Sequence, residues 1–213
     1  EYSTGWAGTG IVALVKGVNP ESRVIALRAD IDALPVTENN NLPFASREKV
    51  NYNGQETGVM HACGHDGHTA MLLGAAQHLA ASRDFDGTVY VIFQPAEEGG
   101  GGAREMMKDG LFTKFPMEAV FGLHNWPGQA VGQFAVSAGP VMASSSEFKI
   151  TIKGKGSHAA LPHESVDPIA LAASMVLAFQ TIISRNKKPI DPGVISVTMI
   201  HAGSATNVIP DSC

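Results

Sequence analysis

Three short apolar segments, each followed at once by polar residues, limit the folds open to this chain more than any other feature. Val24–Leu27 runs into charged residues, Thr88–Phe93 runs towards a pair of carboxylates, and Ala119–Leu123 runs into a histidine. Each segment is continuously apolar and rich in β-branched or aromatic residues, as in strands buried on both faces. Because the carboxyl ends of parallel strands share one edge of a sheet, the three polar clusters are predicted to lie together.

Helical segments between these strands complete an α/β pattern. Residues 69–81 are rich in Ala and Leu with apolar positions at helical spacing, and residues 103–108 form a second predicted helix after four glycines. The alternation of strand and helix predicts a layered, mostly parallel sheet. This α/β domain is expected to span residues 1–143.

A different pattern follows in the last third of the chain. Residues 148–153 alternate apolar and polar side chains, as a half-exposed strand does, and residues 193–200 also read as a strand. Residues 167–184 predict an amphipathic helix, because an Asp-Pro pair suits its N-cap and first turn. Residues 144–213 are therefore expected to form a smaller α+β domain.

Composition and charge argue against several classes of partner. The net charge is −5 with 15 Lys and Arg residues and no basic block, so no nucleic-acid partner is expected. No signal peptide and no membrane-spanning apolar run are recognised, so no membrane partner is expected either. With only two cysteines, a disulfide framework is excluded and a cytoplasmic location is favoured. Both ends read as cut, which predicts a piece of a longer protein.

The segment His61–His68 holds the densest set of chemically active side chains. Three histidines, Cys63 and an aspartate fall within eight residues, immediately before a predicted helix. Thiolate and imidazole are preferred ligands of zinc and similar ions, and Cys63 and His65 on one turn can share an ion. The helix N-terminus is expected to lower the pKa of the thiol. Two alternatives stay open: a polar loop without metal, and Cys63 as a nucleophile with His65 or His68 as base.

Carboxylates and one further histidine follow the other strands. Glu97 and Glu98 are adjacent after a buried strand, where they repel each other unless a cation is near. One of them can bind a metal while the other acts as a general base, although a solvated acidic turn is the alternative. His124 is a further candidate ligand. Asp30 and Asp32 are candidates either for ligands or for partners of an imidazole N–H.

Two polar residues of the smaller domain are weaker candidates. His158 lies in a turn rich in Gly and His, and it could donate to a developing oxyanion if the domain closes over the site. Asn207 could hydrogen-bond a substrate carboxylate or carbonyl. Taken alone, both residues are explained better as ordinary turn residues.

Five segments together resemble a known family, the amidohydrolase branch of the aminoacylase and carboxypeptidase metallopeptidases (metallopeptidase family 20). This branch includes hippurate hydrolases, N-acyl-amino-acid amidohydrolases and plant auxin-conjugate hydrolases. The matching segments, in chain order, are Arg28–Pro35, His61–Asp66, Gln94–Gly99, Gly122–His124 and Gly156–Ala160. The resemblance covers essentially the whole chain.

The resemblance implies a fold and a set of site residues. A catalytic α/β domain, like that of dinuclear-metal exopeptidases, would carry an inserted ferredoxin-like lid that commonly forms the dimer interface. Carried over by position, the metal ligands would be Cys63, His65, Glu98 and His124. Glu97 would be the general base and acid, and Asn207 would help bind substrate. His158 would polarise the scissile carbonyl, in the active site of the partner subunit.

The first strand departs from the pattern of related peptidase branches, which carry a His-x-Asp pair whose His is a ligand. Here Asp30 stands at the position of that His, and Asp32 matches the Asp that supports a ligand without binding the metal itself. Cys63 is implied to supply the lost ligand. The family's last ligating His lies beyond the lid and is not in this chain. This chain alone is therefore expected to bind metal poorly and to turn over little.

The implied function is hydrolysis of the amide bond of N-acyl amino acids, such as hippurate, to a carboxylic acid and an amino acid. Two divalent metal ions would be the cofactors; zinc fits Cys and His ligation best, and manganese, nickel and cobalt are compatible. The partners would be the small substrate and further copies of the chain, in a homodimer or homotetramer formed through the lid. The alternatives are a dipeptidase or aminopeptidase of the same family, a non-catalytic metal-binding fragment, and a cysteine hydrolase.

Overall fold

The computed structural model describes all 213 residues. They divide into two compact units, Glu1–Gln133 and Phe134–Cys213. The division thus falls after residue 133, whereas composition places the change after residue 143. The assignment of a catalytic and a lid role to the two parts stays a prediction.

The first unit contains seven strands and three helices. In chain order these are β1 (Tyr2–Trp6), β2 (Gly10–Lys16), β3 (Val24–Asp30), β4 (Lys49–Tyr52), β5 (Gln55–Gly58), α1 (His65–Ser82), β6 (Thr88–Gln94), α2 (Gly102–Lys108), α3 (Leu111–Lys114) and β7 (Ala119–Gly122). Five strands form one sheet in the order β1-β2-β6-β3-β7, and β4 and β5 form a separate hairpin. The two helices predicted between the apolar strands are confirmed as α1 and α2.

The sheet is mixed rather than mostly parallel. Strand β3 pairs in parallel with both β6 and β7, as predicted. The prediction that all three strands are buried is wrong for β7, because it is an edge strand in which Val120 and Phe121 are exposed. Strand β2 pairs antiparallel with β6, and β1 pairs antiparallel with β2. Only residues 7–9 join β1 to β2, and such a short connection permits only antiparallel pairing.

The parallel part of the sheet gathers the polar segments at one edge. Strands β3 and β6 end together, with Asp30 paired to Gln94, and β7 flanks β3 on its other side. The segments that follow these three strands carry Asp32, Glu98 and His124. The predicted convergence of strand ends is therefore confirmed.

Helices cover both faces of this sheet. Met106 of α2 and Leu111 of α3 belong to one buried cluster with residues of β2, β3 and β6. Leu72 of α1 is buried with Ala29 and Val91 on the other face. Two covered faces explain why β3 and β6 are continuously apolar instead of alternating.

The second unit contains one long helix and a two-stranded ladder. Its elements are β8 (Ser157–His158), a 3-10 turn (Pro162–Glu164), α4 (Pro168–Thr181), a π-helical turn (Ile182–Asn186) and β9 (Val208–Ile209). The predicted N-cap is confirmed, because the carboxylate of Asp167 accepts the main-chain N–H groups of Ile169 and Ala170 at 2.8 and 3.2 Å.

The two strands predicted in this unit are wrong. Residues 193–200 form no strand, and within residues 148–153 only Lys153 makes an isolated bridge, to Ser212. An alternating segment becomes a strand only where a neighbour satisfies its main-chain groups. Such a neighbour is found only near Cys213, whose main chain exchanges two hydrogen bonds with Ile152. The ferredoxin-like sheet is therefore not formed within this unit.

Helix α4 and the π-helical turn form one continuous helix, Pro168–Asn186, that is long and apolar enough to cross a membrane by length and composition alone. Core helices of water-soluble proteins pass the same test, so this observation is weak evidence for a membrane span. The sequence-based expectation of no membrane partner stays a prediction.

Candidate metal centre

The turn before α1 is shaped by a close approach at Gly64. This residue has φ +85°, which side chains rarely adopt, and a Cβ atom there would lie 2.7 Å from Oδ1 of Asn125, so the Asn125 side chain would have to shift. The turn places the half-buried Cys63 just before the N-cap residue Gly64, and the fully buried His65 at the first residue of the helix. The turn thereby brings both Cys63 and His65 to the edge of the sheet where β3, β6 and β7 end.

The buried His65 ring has one satisfied nitrogen and one without a partner. Its Nδ1 lies 2.9 Å from the main-chain oxygen of Asp32. Because a carbonyl oxygen can only accept, Nδ1 carries a proton, and in the neutral ring Nε2 carries the lone pair. This Nε2 is buried and has no hydrogen-bond partner. An orphaned, buried lone pair is costly unless a cation or donor faces it, so it fits a metal ligand.

The ring of His124 is oriented in the same way. Its Nδ1 lies 2.7 Å from the main-chain oxygen of Asn125, which again places the proton on Nδ1. Its Nε2 lies 3.5 Å from Sγ of Cys63. Both proposed histidine ligands therefore hold their Nδ1–H groups on main-chain carbonyls and turn Nε2 towards other candidate ligands.

The predicted metal ligands converge in space. The ligand atoms of Cys63, His65 and Glu98 lie within 4.8 Å of one another, and those of Asp30, His65, His68 and His124 form a second such group. His65 belongs to both groups, and Cys63 touches His124 across them. We refer to Cys63, His65, Glu98 and His124 as the ligand cluster.

Asp32 connects two members of the ligand cluster. Its Oδ2 accepts the main-chain N–H of Glu98 at 3.0 Å, and its main-chain oxygen accepts Nδ1–H of His65. Its Oδ1 is buried without a hydrogen-bond partner, 3.3 Å from Nδ1 of His65. This negative charge beside an imidazole N–H makes the ring a stronger ligand.

Both carboxylate oxygens of Asp30 are engaged inside the protein. Oδ1 lies 2.6 Å from Nδ1 of His68, and Oδ2 lies 3.0 Å from Nη1 of Arg28. Burial raises the pKa of Asp30, but the hydrogen bond from His68 and the charge of Arg28 outweigh burial and hold that pKa below its ordinary value. Asp30 is therefore an anionic anchor for His68.

The thiol of Cys63 has a raised pKa, which corrects the expectation that the helix N-terminus lowers it. Burial is the largest cause, and the neighbouring carboxylate of Glu98 and the charges of Glu97 and Asp30 act in the same direction; together they raise the pKa to about 11. The partial charge at a helix end is about half an elementary charge and cannot offset these effects. Without a cation the thiol is protonated at neutral pH, which argues against Cys63 as a free nucleophile.

The loop after β6 packs tightly against the end of that strand. A Cβ atom at Gly102 would meet the main-chain oxygen of Pro95, so the glycine run provides close main-chain packing rather than an anion site. Glu97 is exposed at the start of this loop, and its charge acts on Cys63. The loop therefore presents Glu97 beside the ligand cluster, and Glu97 keeps its sequence-based role as a prediction.

In the second unit, His158 and Asn207 lie at the same end of the β8–β9 ladder. The main-chain oxygen of Asn207 accepts the N–H of Ala159 at 3.0 Å. Nδ1 of His158 accepts the N–H of Ala160 at 3.1 Å, so a neutral ring carries its proton on Nε2. The exposed Nε2–H of His158 is therefore a free donor, and both residues keep their predicted roles as hypotheses.

Residues 26–208 match the sequence profile of Peptidase family M20/M25/M40. The chain belongs to this family. The resemblance read from the five sequence segments is thereby confirmed.

Curated relatives with assigned names match almost the whole chain. An N-acetyl-L-cysteine deacetylase of Bacillus subtilis is 48% identical over 205 residues, covering 96% of this chain and 47% of that protein. The hippurate hydrolase of Campylobacter jejuni is 46% identical over 203 residues, covering 95% of this chain and 50% of that protein. The chain thus spans about half the length of the curated relatives that it matches.

A solved structure of the family agrees with the fold. The Bacillus subtilis YXEP protein, described as a dinuclear metal-binding peptidase of the M20 family, superposes with a TM-score of 0.64 and 39% identity. The match covers 100% of this chain and 51% of that one. At this identity the two proteins share the M20 fold. The present chain carries candidate metal ligands at the edge of its sheet.

Sequence reasoning missed three residues of this M20 site. Arg28, the anchoring role of His68, and the main chain of Asn125 were not recognised. Two signals were available: Arg28 and Asp30 stand two apart on one strand and so share a face, and His65 and His68 stand three apart on one helix face. The part played by Asn125 uses main-chain atoms, which no side-chain pattern reveals.

Proposed function

We propose that the protein containing this chain hydrolyses the amide bond of N-acyl amino acids in a metal-dependent reaction. The observation that carries the proposal is the orphaned Nε2 of His65, which is buried among the other ligand atoms with its proton fixed on Nδ1. The donor set is two imidazoles, one thiol and one carboxylate, which suits zinc and is compatible with manganese, nickel or cobalt.

The residues of this chain that would help to hold two divalent ions are the four members of the ligand cluster. Asp32 supports His65 and the Glu98 main chain, and the negative charge around Cys63 favours a cation over an empty site. Bound divalent ions would lower the pKa of an attacking water and supply positive charge beside the developing oxyanion.

Glu97 is the proposed proton carrier of this reaction. Its carboxylate follows β6 beside Glu98, is exposed, and is close enough for its charge to act on Cys63. A carboxylate in this place takes the proton from the attacking water and delivers it to the leaving amine. The carboxylate of Glu98 lies beside another proposed ligand instead, with Oε1 3.9 Å from Nε2 of His65. This difference supports separate roles for Glu97 as proton carrier and Glu98 as ligand.

His158 is the proposed donor to the scissile carbonyl oxygen. The bond from Ala160 N–H occupies Nδ1, so the neutral ring presents Nε2–H, the form needed to stabilise an oxyanion. We propose that residues 144–213 act as part of a lid and dimerisation domain, through which a homodimer or homotetramer forms. His158 would then serve the site of a partner subunit, and Asn207 at the same end of the ladder would bind the substrate carboxylate.

The proposed substrates follow from the chemistry shared by relatives. Proteins named N-acetyl-L-cysteine deacetylase, hippurate hydrolase and N-acetyldiaminopimelate deacetylase all match this chain at 46% to 48% identity. Each of these names refers to cleavage of the same kind of bond, the amide between an acyl group and the amine of an amino acid. Two cysteines, both free thiols, support a cytoplasmic location for the enzyme.

The deciding experiment is a hydrolysis assay on the longest natural protein that contains this chain. N-acetyl and N-benzoyl amino acids are offered beside simple dipeptides, with and without a metal chelator. We expect release of a free amino acid that the chelator abolishes and added metal restores. Preference for dipeptides would favour a peptidase of the same family, and activity that survives chelation but is lost in Cys63→Ser would favour a cysteine hydrolase.

A further inference from the structure

His68 lies within the same cluster of acidic and imidazole groups as the proposed ligands, yet both of its ring nitrogens are occupied. Its side chain is almost fully buried on α1. Nε2 accepts the main-chain N–H of Asn125 at 2.9 Å. Because that N–H can only donate, the proton of His68 is on Nδ1, which faces Oδ1 of Asp30 at 2.6 Å. His68 therefore has no free lone pair to offer a metal ion.

One side of His68 is anchored in the sheet. Its acceptor Asp30 ends β3 and is bound through its other oxygen to Nη1 of Arg28 at 3.0 Å. Nε of Arg28 donates in turn to Oε1 of Gln94, at the end of β6, at 2.9 Å. The ion pair and the hydrogen bonds therefore anchor Asp30, the partner of His68, to the neighbouring strands β3 and β6.

The other side of His68 reaches the ligand His124 through one peptide residue. The main-chain N–H of Asn125 donates to His68, and the main-chain oxygen of the same residue accepts Nδ1–H of His124 at 2.7 Å. The two imidazole rings also touch edge to face, with centroids 4.6 Å apart. A shift of the Asn125 main chain would therefore rotate His124.

The segment that carries His124 has few other restraints. Strand β7 ends at Gly122, and His124 and Asn125 follow it outside any regular element. The Asn125 side chain packs against Gly64, whose missing Cβ leaves it room. The hydrogen bond from the Asn125 N–H to His68 connects the main chain of this segment to α1. Through His68 it also connects the segment to the buried carboxylate of Asp30.

We propose that His68 is a positioning residue, which fixes Nε2 of His124 towards the metal site by holding the N–H of Asn125. The proposal rests on the proposed function, since His124 is a proposed ligand there. His68 acts through its Nε2 acceptor, and its bond to Asp30 sets which nitrogen is that acceptor. A role as a further metal ligand is the competing interpretation.

Two amide substitutions separate these interpretations. In His68→Gln the side-chain oxygen occupies the place of Nε2 and can still accept the N–H of Asn125. In His68→Asn the shorter side chain reaches only the place of Nδ1, so it can contact Asp30 but leaves Asn125 without a partner. The exposed His78, on the same helix, provides a matched control as His78→Asn.

The first readout is the affinity for cobalt or zinc, measured in the longest natural protein that contains this chain. We expect His68→Asn to weaken binding by about 10- to 100-fold and His68→Gln to stay within about threefold of the unchanged protein. His78→Asn should have no effect. Equal losses in both variants, or the loss of a whole metal equivalent in both, would overturn the proposal, as would full affinity in both.

The second readout needs no metal. Heteronuclear NMR of the histidine side-chain nitrogens in the metal-free protein reports which nitrogen of His124 carries the proton. We expect His124 to keep its proton on Nδ1 in His68→Gln and to populate both forms in His68→Asn. If the unchanged protein binds no metal, the proposed function fails, and this measurement still decides the positioning role. If His68→Asn does not fold, His68→Gln decides alone, because a ligand role requires it to lose metal.

Discussion

Oδ2 of Asp32 accepts the main-chain N–H of Glu98 at 3.0 Å. The main-chain oxygen of Asp32 also holds Nδ1–H of His65 at 2.9 Å. Asp32, two positions after the end of β3, therefore holds two proposed ligands. It holds the ring of His65 at the start of α1 and the main chain of Glu98 after β6. Parallel pairing of β3 with β6 makes this possible, because it brings both strand ends to the same edge.

The first prediction concerns this support of the ligands. Asp32→Asn keeps the size of the side chain but removes the negative charge beside His65. The imidazole becomes a weaker ligand, so the metal dissociation constant should rise about 10- to 100-fold. Competition with a chromophoric chelator measures it, and the exposed Asp84→Asn provides the control. Unchanged affinity in Asp32→Asn would show that Asp32 serves only the fold.

The second prediction concerns the proton carrier. Glu97→Gln removes the carboxylate that is proposed to take the proton from water, so kcat should fall by about 10²- to 10⁴-fold. Metal content should not change, because Glu97 is not a proposed ligand. Initial rates on an N-acyl amino acid, together with elemental analysis, check both statements. Glu21→Gln, on the exposed surface, controls for loss of charge, and a loss of metal in Glu97→Gln would contradict the division of roles.

The third prediction concerns the thiol of Cys63 in the metal-free protein. Burial and nearby carboxylates raise its pKa from 9.0 to about 11. The folded thiol therefore stays protonated between these values, where the unfolded thiol ionises. Its contribution to stability is present below pH 9 and is lost as the pH rises towards 11.

Alkylation of Cys63 measures this shift, with Cys213→Ser leaving a single thiol. The rate should keep rising up to about pH 11 in the folded, metal-free protein, while the denaturant-unfolded chain should level off near the ordinary thiol pKa. Added metal should protect the thiol. A plateau at or below the ordinary value in the folded protein would contradict the electrostatic account.

The fourth prediction concerns the turn that presents Cys63 and His65. At Gly64, φ is +85° and a Cβ atom would meet Asn125 at 2.7 Å. Gly64→Ala should therefore lower the free energy of unfolding by about 1–3 kcal/mol. Gly74 lies within α1 with open space around it, so Gly74→Ala should raise that free energy by about 0.5–1 kcal/mol. Chemical denaturation of the two variants checks the opposite signs.

Sequence alone predicted the part of the fold that positions the site. Continuous apolar segments identified β3, β6 and β7. Strands β3 and β6 are covered on both faces, which explains their pattern, whereas the edge strand β7 is mostly exposed. Their parallel arrangement then implied that Asp32, Glu98 and His124 meet. The hairpin β1–β2 was not foreseen, since the antiparallel direction of β2 depends on a connection of a few residues rather than on its apolar pattern.

Other features depend on contacts that a pattern of residue types does not contain. Residues 148–153 alternate as a strand would, but a strand needs a neighbour, and most of this segment finds none. The histidine tautomers follow from which atom faces which partner, as with His68 between Asp30 and Asn125. The raised pKa of Cys63 likewise reflects carboxylates that are distant in sequence and close in space.

The central claim is that the ligand cluster binds metal with Cys63 as one of the ligands. Elemental analysis of bound metal per chain tests it most directly, on this chain and on the longest natural protein that contains it, before and after Cys63→Ala. Cys213→Ala is the control. The account predicts about two equivalents in the longer protein, fewer in Cys63→Ala, and no change in Cys213→Ala. Absence of metal from the longer protein, or full metal content in Cys63→Ala, would contradict it.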